Sequence, residues 1–408
     1  MSDAETFETP QRTVIADVDD FHDAVEELAL GHGPVAVDAE RASGFRYSQR
    51  AYLIQVYRRG AGTYLFDPPA IGEFAPLQSV IGDAEWVLHA ASQDLPCLRE
   101  VGLDPVTVFD TELAARLLGL PRVGLGAVVE ELLGIHLAKE HSAADWSTRP
   151  LPASWLEYAA LDVELLLDLR DSLAVLLKQQ GKERIAVEEF AAVVAKEEKP
   201  PLAEPWRRLS GIHSLRPDRH LAAARELWLA RDALARELDV SPGRLVPDTS
   251  LIAAARALPE SRRDLAGLKQ FSGRASRTEL DRWWNAIERA RTTDDIPVQR
   301  RSGGGDTLPP PRSWSDRNPE ADFRLKAARA ALTEIATDRA IPLENLLTPD
   351  FLRRVAWEPP VEITPESVGD ALAELGARPW QIELTAQTIA RAFVEGHQEA
   401  AEGTETDS

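Results

Sequence analysis

Short apolar runs alternate with longer amphipathic stretches over the first half of the chain. Five runs rich in β-branched and aromatic residues predict strands, and helical periodicity follows from the third run onward. The predicted strands are 34–40, 51–57, 63–67, 86–90 and 107–110, and the predicted helices are 74–82, 92–101, 111–118, 124–133 and 153–180. Three strands followed by strand–helix alternation predict a mixed α/β sheet whose first three strands are antiparallel.

From about residue 215 onward the pattern is helical throughout. Segments rich in Ala, Leu and Arg are separated by Pro and Gly, which predicts an all-α region. Residues 235–251 align with residues 336–352: in each copy a helix ends, a short loop carries a proline, and a second helix follows. We interpret this internal repeat as a duplicated small helical domain.

Composition divides the chain at two points. Lys199-Pro200-Pro201 follows a charged helical stretch, and three glycines at 303–305 precede three prolines at 309–311. The predicted units are an α/β domain (1–204), a first helical domain (205–301), a linker (302–318), a second helical domain (319–397) and a disordered tail (398–408).

The net charge of −21 argues against a nucleic-acid partner, but the charge is unevenly distributed. Residues 1–204 carry 17 basic and 35 acidic side chains, whereas residues 205–301 carry 19 basic and 13 acidic ones and are net positive by 6. The remainder has a net charge of −9. The basic block is either a solvated face or a module that contacts phosphates.

Several classes of protein are excluded by simpler features. No apolar run approaches the ~18 residues of a membrane span, and the acidic N-terminus is unlike a signal peptide. The single cysteine, Cys97, excludes a disulfide framework and a cysteine-based zinc site. A GxxxxGK[ST] phosphate loop is absent from the sequence. We therefore expect a cytoplasmic protein with no membrane partner and no use of ATP.

Asp38 and Glu40 lie two residues apart in a run that otherwise predicts a buried strand, so both point to one face. Burying two like charges costs several kcal/mol unless a cation compensates them. The alternative is that the strand ends at Val37 and both carboxylates are solvated.

Two further acidic positions stand out. Ser92 is a predicted helix N-cap, which places Asp94 in the first turn, where the helix dipole alone would favour it. Tyr158 and Asp162 are four residues apart and share a helix face, an arrangement that also suits a surface tyrosine beside a charge.

Taken together, the four carboxylates and the tyrosine suit one chemistry. Oxygen ligands alone favour hard divalent cations such as Mg²⁺ or Mn²⁺. Two such ions about 3.5–4 Å apart stabilise both the attacking and the leaving oxygen of a phosphoryl displacement. A tyrosine hydroxyl beside them can orient the attacking water.

Further motifs accompany this ordered set. They are Leu53-Ile54-Gln55, Lys139, Asp145-Trp146, Arg149-Pro150-Leu151, Tyr158-Ala159-Ala160 and Asp162-Val163. The whole pattern resembles the ribonuclease D group of the DEDD exonuclease superfamily, in its tyrosine-containing branch. The helical repeats resemble the helicase-and-RNase-D C-terminal (HRDC) domain, the first copy more closely, through Leu227, Arg231, Leu251 and Phe271-Ser272-Gly273.

This resemblance implies an RNase H-like exonuclease domain followed by two HRDC-type domains. It implies a 3′→5′ exoribonuclease that releases nucleoside 5′-monophosphates from RNA 3′ ends, typically those of tRNA precursors. Asp38, Glu40 and Asp162 would ligate a first cation, and Asp38 and Asp94 a second, while Tyr158 would position the hydrolytic water.

Substrate contacts are predicted at Arg41, Gln55, Lys139, His141, Trp146 and Arg149. Arg41 departs from the family pattern, which often has an aromatic or small residue after the glutamate. We expect a monomer. Two alternatives remain open. A DNA 3′→5′ exonuclease would be distinguished by the dependence of the activity on the substrate 2′-OH. An inactive RNA-binding scaffold would predict that at least one metal ligand is missing, although all four carboxylates and the tyrosine are present.

Overall fold

The structure, a computed structural model, describes residues 12–137, 144–197, 200–298 and 308–405, with side chains described up to residue 395. We refer to 12–197, for which the sequence resemblance implies an exonuclease domain, as the exonuclease part, to 200–298 as the first helical module and to 308–405 as the C-terminal module. In the described parts of the chain, no helix combines the length and apolar character that a membrane crossing requires.

A six-stranded mixed sheet forms the centre of the exonuclease part. The strands are β1 (Val14–Ile15), β2 (His32–Arg41), β3 (Ala51–Arg59), β4 (Gly62–Phe66), β5 (Glu85–Leu88) and β6 (Thr107–Asp110). Their spatial order is β1-β4-β3-β2-β5-β6, with β2, β3 and β4 antiparallel and the other three pairings parallel. The predicted mixed sheet and its antiparallel start are confirmed, whereas β1 is too short to have been predicted.

Nine helices of the described exonuclease part cover both faces of this sheet. They are α1 (Val18–Leu30), α2 (Pro68–Ile71), α3 (Ala75–Ile81), α4 (Leu95–Arg99), α5 (Thr111–Leu117), α6 (Leu125–Leu133), α7 (Ala153–Glu164), α8 (Leu166–Gln179) and α9 (Glu183–Val194). Along β2, Val35 and Val37 face the apolar cluster that holds α1 and α3, whereas Asp38 and Glu40 face the opposite side, where α7 lies.

The predicted single helix over 153–180 is wrong at its centre, because the helix breaks at Leu165 into α7 and α8. The two halves bury their apolar faces against different partners. Leu156 and Ala160 of α7 pack with strand β3, and Leu169 and Leu173 of α8 belong to the cluster around α5 and α6. One straight helix could not serve both surfaces.

The first helical module has a closed core of its own. Its helices are α10 (Asp218–Leu238), α11 (Pro242–Leu245), α12 (Asp248–Ala257), α13 (Arg262–Ala266), α14 (Arg274–Thr278) and α15 (Leu280–Thr292). The apolar cluster runs from Trp206 to Ala290 and includes no residue of the other two parts. This module is therefore built as a separate packing unit.

The C-terminal module repeats the start of this arrangement. Its helices are α16 (Trp314–Arg317), α17 (Pro319–Asp338), α18 (Leu343–Leu346), α19 (Pro349–Trp357), α20 (Pro365–Glu374) and α21 (Pro379–Glu405). In both modules a long helix leads through a residue with positive φ, Asp239 (46°) or Ala340 (47°), into a four-residue helix. The internal repeat in the sequence thus corresponds to repeated structure.

Two predicted boundaries need correction. The predicted linker 302–318 includes a folded segment, because Trp314 is fully buried and packs 4.8 Å from the Trp357 ring. The predicted disordered tail 398–408 is wrong for 398–405, which continue α21. Residues 398–405 include two Ala and three Glu, which favour helix.

Candidate metal centre

Strand β2 and helix α7 bring three carboxylates together. Asp38 pairs with Gln55 and Glu40 with Leu53 across β2 and β3, so Asp38 and Glu40 share the face on which α7 packs. Asp162 projects from α7, and the ligand oxygens of Asp38, Glu40 and Asp162 lie within 4.8 Å of one another. We call these three residues the carboxylate cluster. They lie together because a two-residue strand repeat meets one face of a helix.

Asp94 reaches the same site from a tight turn after β5. The chain enters this turn at Ala90, whose φ is 63°, and residues 91–93 form a 3-10 turn. Asp94 directly precedes α4 and makes no side-chain capping bond, so the prediction that Ser92 caps the helix and Asp94 lies in its first turn is wrong. Local helix propensity does not reveal the positive φ at Ala90, which is why the sequence predicted the wrong position for Asp94.

Asp110, a residue that sequence reasoning missed, holds this turn in place. Its buried carboxylate accepts hydrogen bonds from the backbone N–H groups of Ala90 (3.1 Å), Ala91 (2.9 Å) and Leu113 (3.0 Å). Burial raises the pKa of Asp110, while these backbone bonds oppose that rise. Its only sequence signal is an acidic residue between a strand and a helix, which is typical of an ordinary N-cap.

Burial raises the pKa values of the four acids, and repulsion by neighbouring carboxylates adds to the rise at Glu40, Asp94 and Asp162. Burial raises the pKa of Glu40 well above its usual value, and the charges of Asp38, Asp162 and Asp94 add to the effect. Burial and the charge of Asp38 act likewise on Asp94, and burial raises the pKa of Asp38. The guanidinium of Arg41 lies 3.5 Å from Asp94 and offsets part of this repulsion.

Tyr158 is hydrogen-bonded to Asp162 within α7. Burial and then the charge of Asp38 raise the pKa of Asp162 to about 8, and the bond from Tyr158 opposes that rise. Burial and the charges of Asp162 and Glu40 raise the pKa of Tyr158 above its usual value. The phenol therefore stays protonated at neutral pH and donates to the carboxylate.

This donor set fits a divalent cation. The cluster offers oxygen ligands only, which hard cations prefer, and its crowded carboxylates would lose their repulsion to a positive ion placed among them. Two cavities adjoin the cluster. One of about 250 Å³ is lined by Glu40, Arg41 and Phe45, and one of about 700 Å³ is lined by Tyr158, Asp162 and Arg122.

Three of the predicted substrate contacts are engaged within the protein itself: Gln55 and Trp146 are buried, and Arg149, which is exposed, is held by hydrogen bonds. Gln55 is fully buried on β3 beside Asp38, and Trp146 is fully buried with its ring 5.2 Å from that of Trp155. Arg149 donates two hydrogen bonds to the buried Asp67, at 2.6 and 2.9 Å, and others to backbone carbonyls. Burial of this kind depends on distant contacts that local sequence does not reveal.

The other predicted contacts have different outcomes. Arg41 lines the smaller cavity, where its guanidinium also lies 3.5 Å from Asp94. Lys139 and His141 lie outside the described residues. In the first helical module many arginines pair internally, as Arg225 does with Asp295 and Arg231 with Asp248. Exposed basic side chains for which the described residues provide no ion pair include Arg263, Lys269, Arg274 and Arg277.

Comparison with family models divides the chain into three matched regions. A model described as a 3′-5′ exonuclease matches residues 13–178, an HRDC domain model matches 220–287, and a model described as a 3′ to 5′ exonuclease C-terminal domain matches 307–393. The third match differs from the second, so the HRDC identity predicted for the C-terminal module remains a prediction.

Curated relatives and solved structures agree with these matches. Ribonuclease D of Cronobacter turicensis is 33% identical over 60% of this chain and 67% of its own, and that of Escherichia coli is 29% identical over 80% and 85%. A crystal structure of a protein from Bifidobacterium adolescentis superposes with a TM-score of 0.87 at 39% identity, covering 94% of this chain and 97% of that one. The E. coli RNase D structure, described as that of an exoribonuclease involved in structured RNA processing, superposes at 0.66 with 26% identity, covering 89% and 98%.

Proposed function

This chain belongs to the ribonuclease D family of 3′→5′ exoribonucleases, and we propose that the carboxylate cluster with Asp94 and Tyr158 is its hydrolytic centre. One observation carries the proposal: three carboxylates from β2 and α7 have ligand oxygens within 4.8 Å of one another, and two of them, Glu40 and Asp162, each line a cavity. The proposed reaction releases nucleoside 5′-monophosphates one at a time from the RNA 3′ end.

Each acid has a role that follows from its position. Asp38, Glu40 and Asp162 would hold one Mg²⁺ or Mn²⁺ ion, and Asp38 and Asp94 a second. When bound, the two ions would lower the pKa of a water molecule and stabilise the charge that develops on the leaving oxygen. Tyr158 donates its hydroxyl hydrogen to Asp162 and so keeps a fixed position at the edge of the larger cavity, where its oxygen can orient the attacking water.

The two cavities suggest where the substrate lies. The smaller one, with Glu40, Arg41 and the Phe45 ring, suits the 3′-terminal nucleoside, since an aromatic face can stack on a base. The larger one, with Arg122, suits the nucleotides that precede it. A guanidinium in that cavity would contact a phosphate and offset the negative charge of the cluster.

The exposed basic residues Arg263, Lys269, Arg274 and Arg277 suit contact with the body of the RNA. We therefore propose structured RNAs with free 3′ ends, tRNA precursors among them, as substrates. The chain supplies every acid of the centre by itself, so we propose that it acts as a monomer. The cytoplasmic location predicted from the sequence stays a prediction.

The test is hydrolysis of a 3′-tailed RNA in the presence of Mg²⁺ or Mn²⁺. Wild-type protein should release 5′-monophosphates stepwise, and Asp38→Asn and Asp162→Asn should each lower the rate by at least about 10³-fold. Asp168→Asn, which changes an exposed acid on α8, is the matched control and should retain full activity. Undiminished activity in either cluster variant would overturn the assignment.

The same assay decides between the alternatives. An all-2′-deoxy version of the substrate that is degraded as fast as RNA would favour a DNA exonuclease. Tight RNA binding without any release of mononucleotides would favour a scaffold. Both results differ from the stepwise RNA hydrolysis that we propose.

A further inference from the structure

The loop that joins β2 to β3, residues 42–50, follows the first two acids of the metal centre directly. Ser43, Gly44 and Phe45 of this loop line the smaller cavity together with Glu40 and Arg41. The loop is thus one wall of the space beside the carboxylate cluster. Any shift in its path changes the shape of that space.

Within the exonuclease part, the Phe45 ring packs against the apolar cluster that contains Leu53 and Trp146, and hydrogen bonds close the start of the loop. The backbone N–H groups of Phe45 and Arg46 both donate to the carbonyl of Ala42 at 2.8 Å, which closes a single turn. The Arg46 side chain donates to the Ser147 hydroxyl at 2.7 Å. These contacts close the turn at residues 42–46, and the first helical module adds further contacts to the same turn.

The first helical module contacts that segment at its backbone. The N–H of Ser241 donates to the Phe45 carbonyl at 2.9 Å, and Nε of Arg244 donates to the Gly44 carbonyl at 2.7 Å. The Arg244 guanidinium also lies 3.9 Å from the centre of the Phe45 ring, a cation–π distance. Both residues come from the short stretch that leads into α11 and through it.

A second set of contacts holds the far end of the loop. The Asp239 carboxylate, just beyond the end of α10, accepts hydrogen bonds from the Ser48 backbone (3.0 Å) and the Tyr52 hydroxyl (3.1 Å). The Tyr47 hydroxyl donates to Asp232 at 3.0 Å and accepts from Arg236 at 2.9 Å. The loop is therefore fixed from outside at both its middle and its end.

We propose that Arg244 and Asp239 are positioning residues for hydrolysis: through the β2–β3 loop, the first helical module sets the shape of the cavity that receives the 3′-terminal nucleoside. The inference rests on the proposed function, since it concerns the same centre. It assigns the module a role that does not depend on contact with the body of the RNA. Arg244 does so by holding the Gly44 carbonyl through a hydrogen bond and by packing its guanidinium over the Phe45 ring.

Substrate length separates this role from simple RNA binding. A module that only binds the body of the RNA should matter for a long substrate and not for a dinucleotide, which occupies the centre alone. A module that shapes the terminal cavity should matter equally for both. The measurement is therefore kcat and KM of full-length variants on a 3′-tailed RNA and on a ribodinucleotide.

Arg244→Ala and Asp239→Asn should each lower kcat/KM by about 10-fold on both substrates, because a displaced wall misplaces the reacting phosphate. Arg256→Ala is the matched control, since Arg256 bonds within its own module to Ser214, and it should behave as wild type. Variants that lose activity on the long RNA only would overturn the proposal.

A structural readout guards against a general loss of folding. Hydrogen exchange of amides 43–50 should accelerate in Arg244→Ala while the core amides of α10 and α15 keep their protection. Arg244→Lys should restore part of the dinucleotide activity, since a lysine can still donate to the Gly44 carbonyl. Faster exchange in the loop with unchanged dinucleotide kinetics would contradict the proposal. A wild-type protein inert on every RNA would instead contradict the proposed function.

Discussion

The two helical modules begin alike but attach to the exonuclease part in different ways. The C-terminal module shares one continuous apolar cluster with it, so that Phe190 of α9 and Phe393 of α21 belong to the same core. The first helical module has a separate core and meets the exonuclease part through polar contacts at residues 44–52. The shared core of the C-terminal module therefore contributes to the stability of the exonuclease part. The polar contacts of the first helical module can instead position a loop without contributing to that core.

The junction between the exonuclease part and the C-terminal module is held by polar contacts as well as by its apolar core. Glu189 accepts two hydrogen bonds from Arg378, at 2.5 and 2.8 Å, and one from the Trp380 indole at 2.8 Å. Gly119, at a φ of 75°, has no room for a side chain, because a Cβ there would lie 2.5 Å from the Ala340 carbonyl oxygen. Such a junction cannot open without exposing the core.

The largest expected effect comes from breaking the separate core. Trp283 is fully buried, and Trp283→Ala should destabilise the first helical module by about 3–5 kcal/mol. Because this core is closed, hydrogen exchange should accelerate in α10 and α15 and stay unchanged in α9 and α17. Equal loss of protection in all four helices would show that the modules unfold as one.

Disrupting the junction should destabilise both the exonuclease part and the C-terminal module. Glu189→Gln leaves a guanidinium without its bidentate carboxylate, and we expect a loss of about 2–4 kcal/mol in the free energy of unfolding. The matched control is Glu383→Gln, whose pair with Arg184 is exposed on both sides, so its midpoint should match that of the wild type. Chemical denaturation of the two variants measures the difference, and equal midpoints would refute the shared junction.

Burial of His89 should contribute a loss of stability in acid, opposite in sign to the contribution of the four acids of the metal centre, whose raised pKa values favour the folded state as the pH falls. Burial lowers the pKa of His89 to about 4, and its Nδ1 lies 2.9 Å from the Thr111 hydroxyl. The unfolded chain therefore binds the proton first, so this stability is present above pH 6.5 and is lost as the pH falls toward 4, by about 1–2 kcal/mol at pH 5. His89→Gln should flatten this part of the pH profile of α5 and β5 exchange. An unchanged profile would assign the acid sensitivity to other groups.

The smallest effect on stability is expected at the exposed arginines. Arg274→Ala and Arg277→Ala should change the free energy of unfolding by less than about 0.5 kcal/mol. If these residues contact phosphates, each variant should reduce the salt dependence of RNA binding by about one unit of slope. An unchanged slope in the double variant would mean that this face of the first helical module is only solvated.

The parts of the fold that obey local rules were predictable. The alternation of Val35, Val37 and the two acids along β2 predicts both the buried face and the shared direction of Asp38 and Glu40. Helix α1 also carries a local signal, with Asp17 as N-cap and Phe21, Ala24, Val25 and Leu28 at helical spacing, and a closer reading of that periodicity would have found it.

The rest depends on contacts between distant segments. The turn that presents Asp94 needs Asp110, which follows it by 16 positions, and the burial of Trp146 and the hydrogen bonds of Arg149 need partners on other elements. The contacts of the β2–β3 loop come from residues about 190 positions away. No local pattern encodes which side chain will be buried when such segments meet.

The claim that the carboxylate cluster is a metal centre is tested most directly by thermal unfolding with EDTA and with Mn²⁺. The account predicts that Mn²⁺ raises the unfolding midpoint of the wild-type exonuclease part, because the ion relieves the repulsion among the buried acids. Asp162→Asn should raise the midpoint in EDTA and abolish most of the response to Mn²⁺. A wild-type midpoint indifferent to Mn²⁺ would contradict it, and so would a response to Mn²⁺ that Asp162→Asn leaves unchanged.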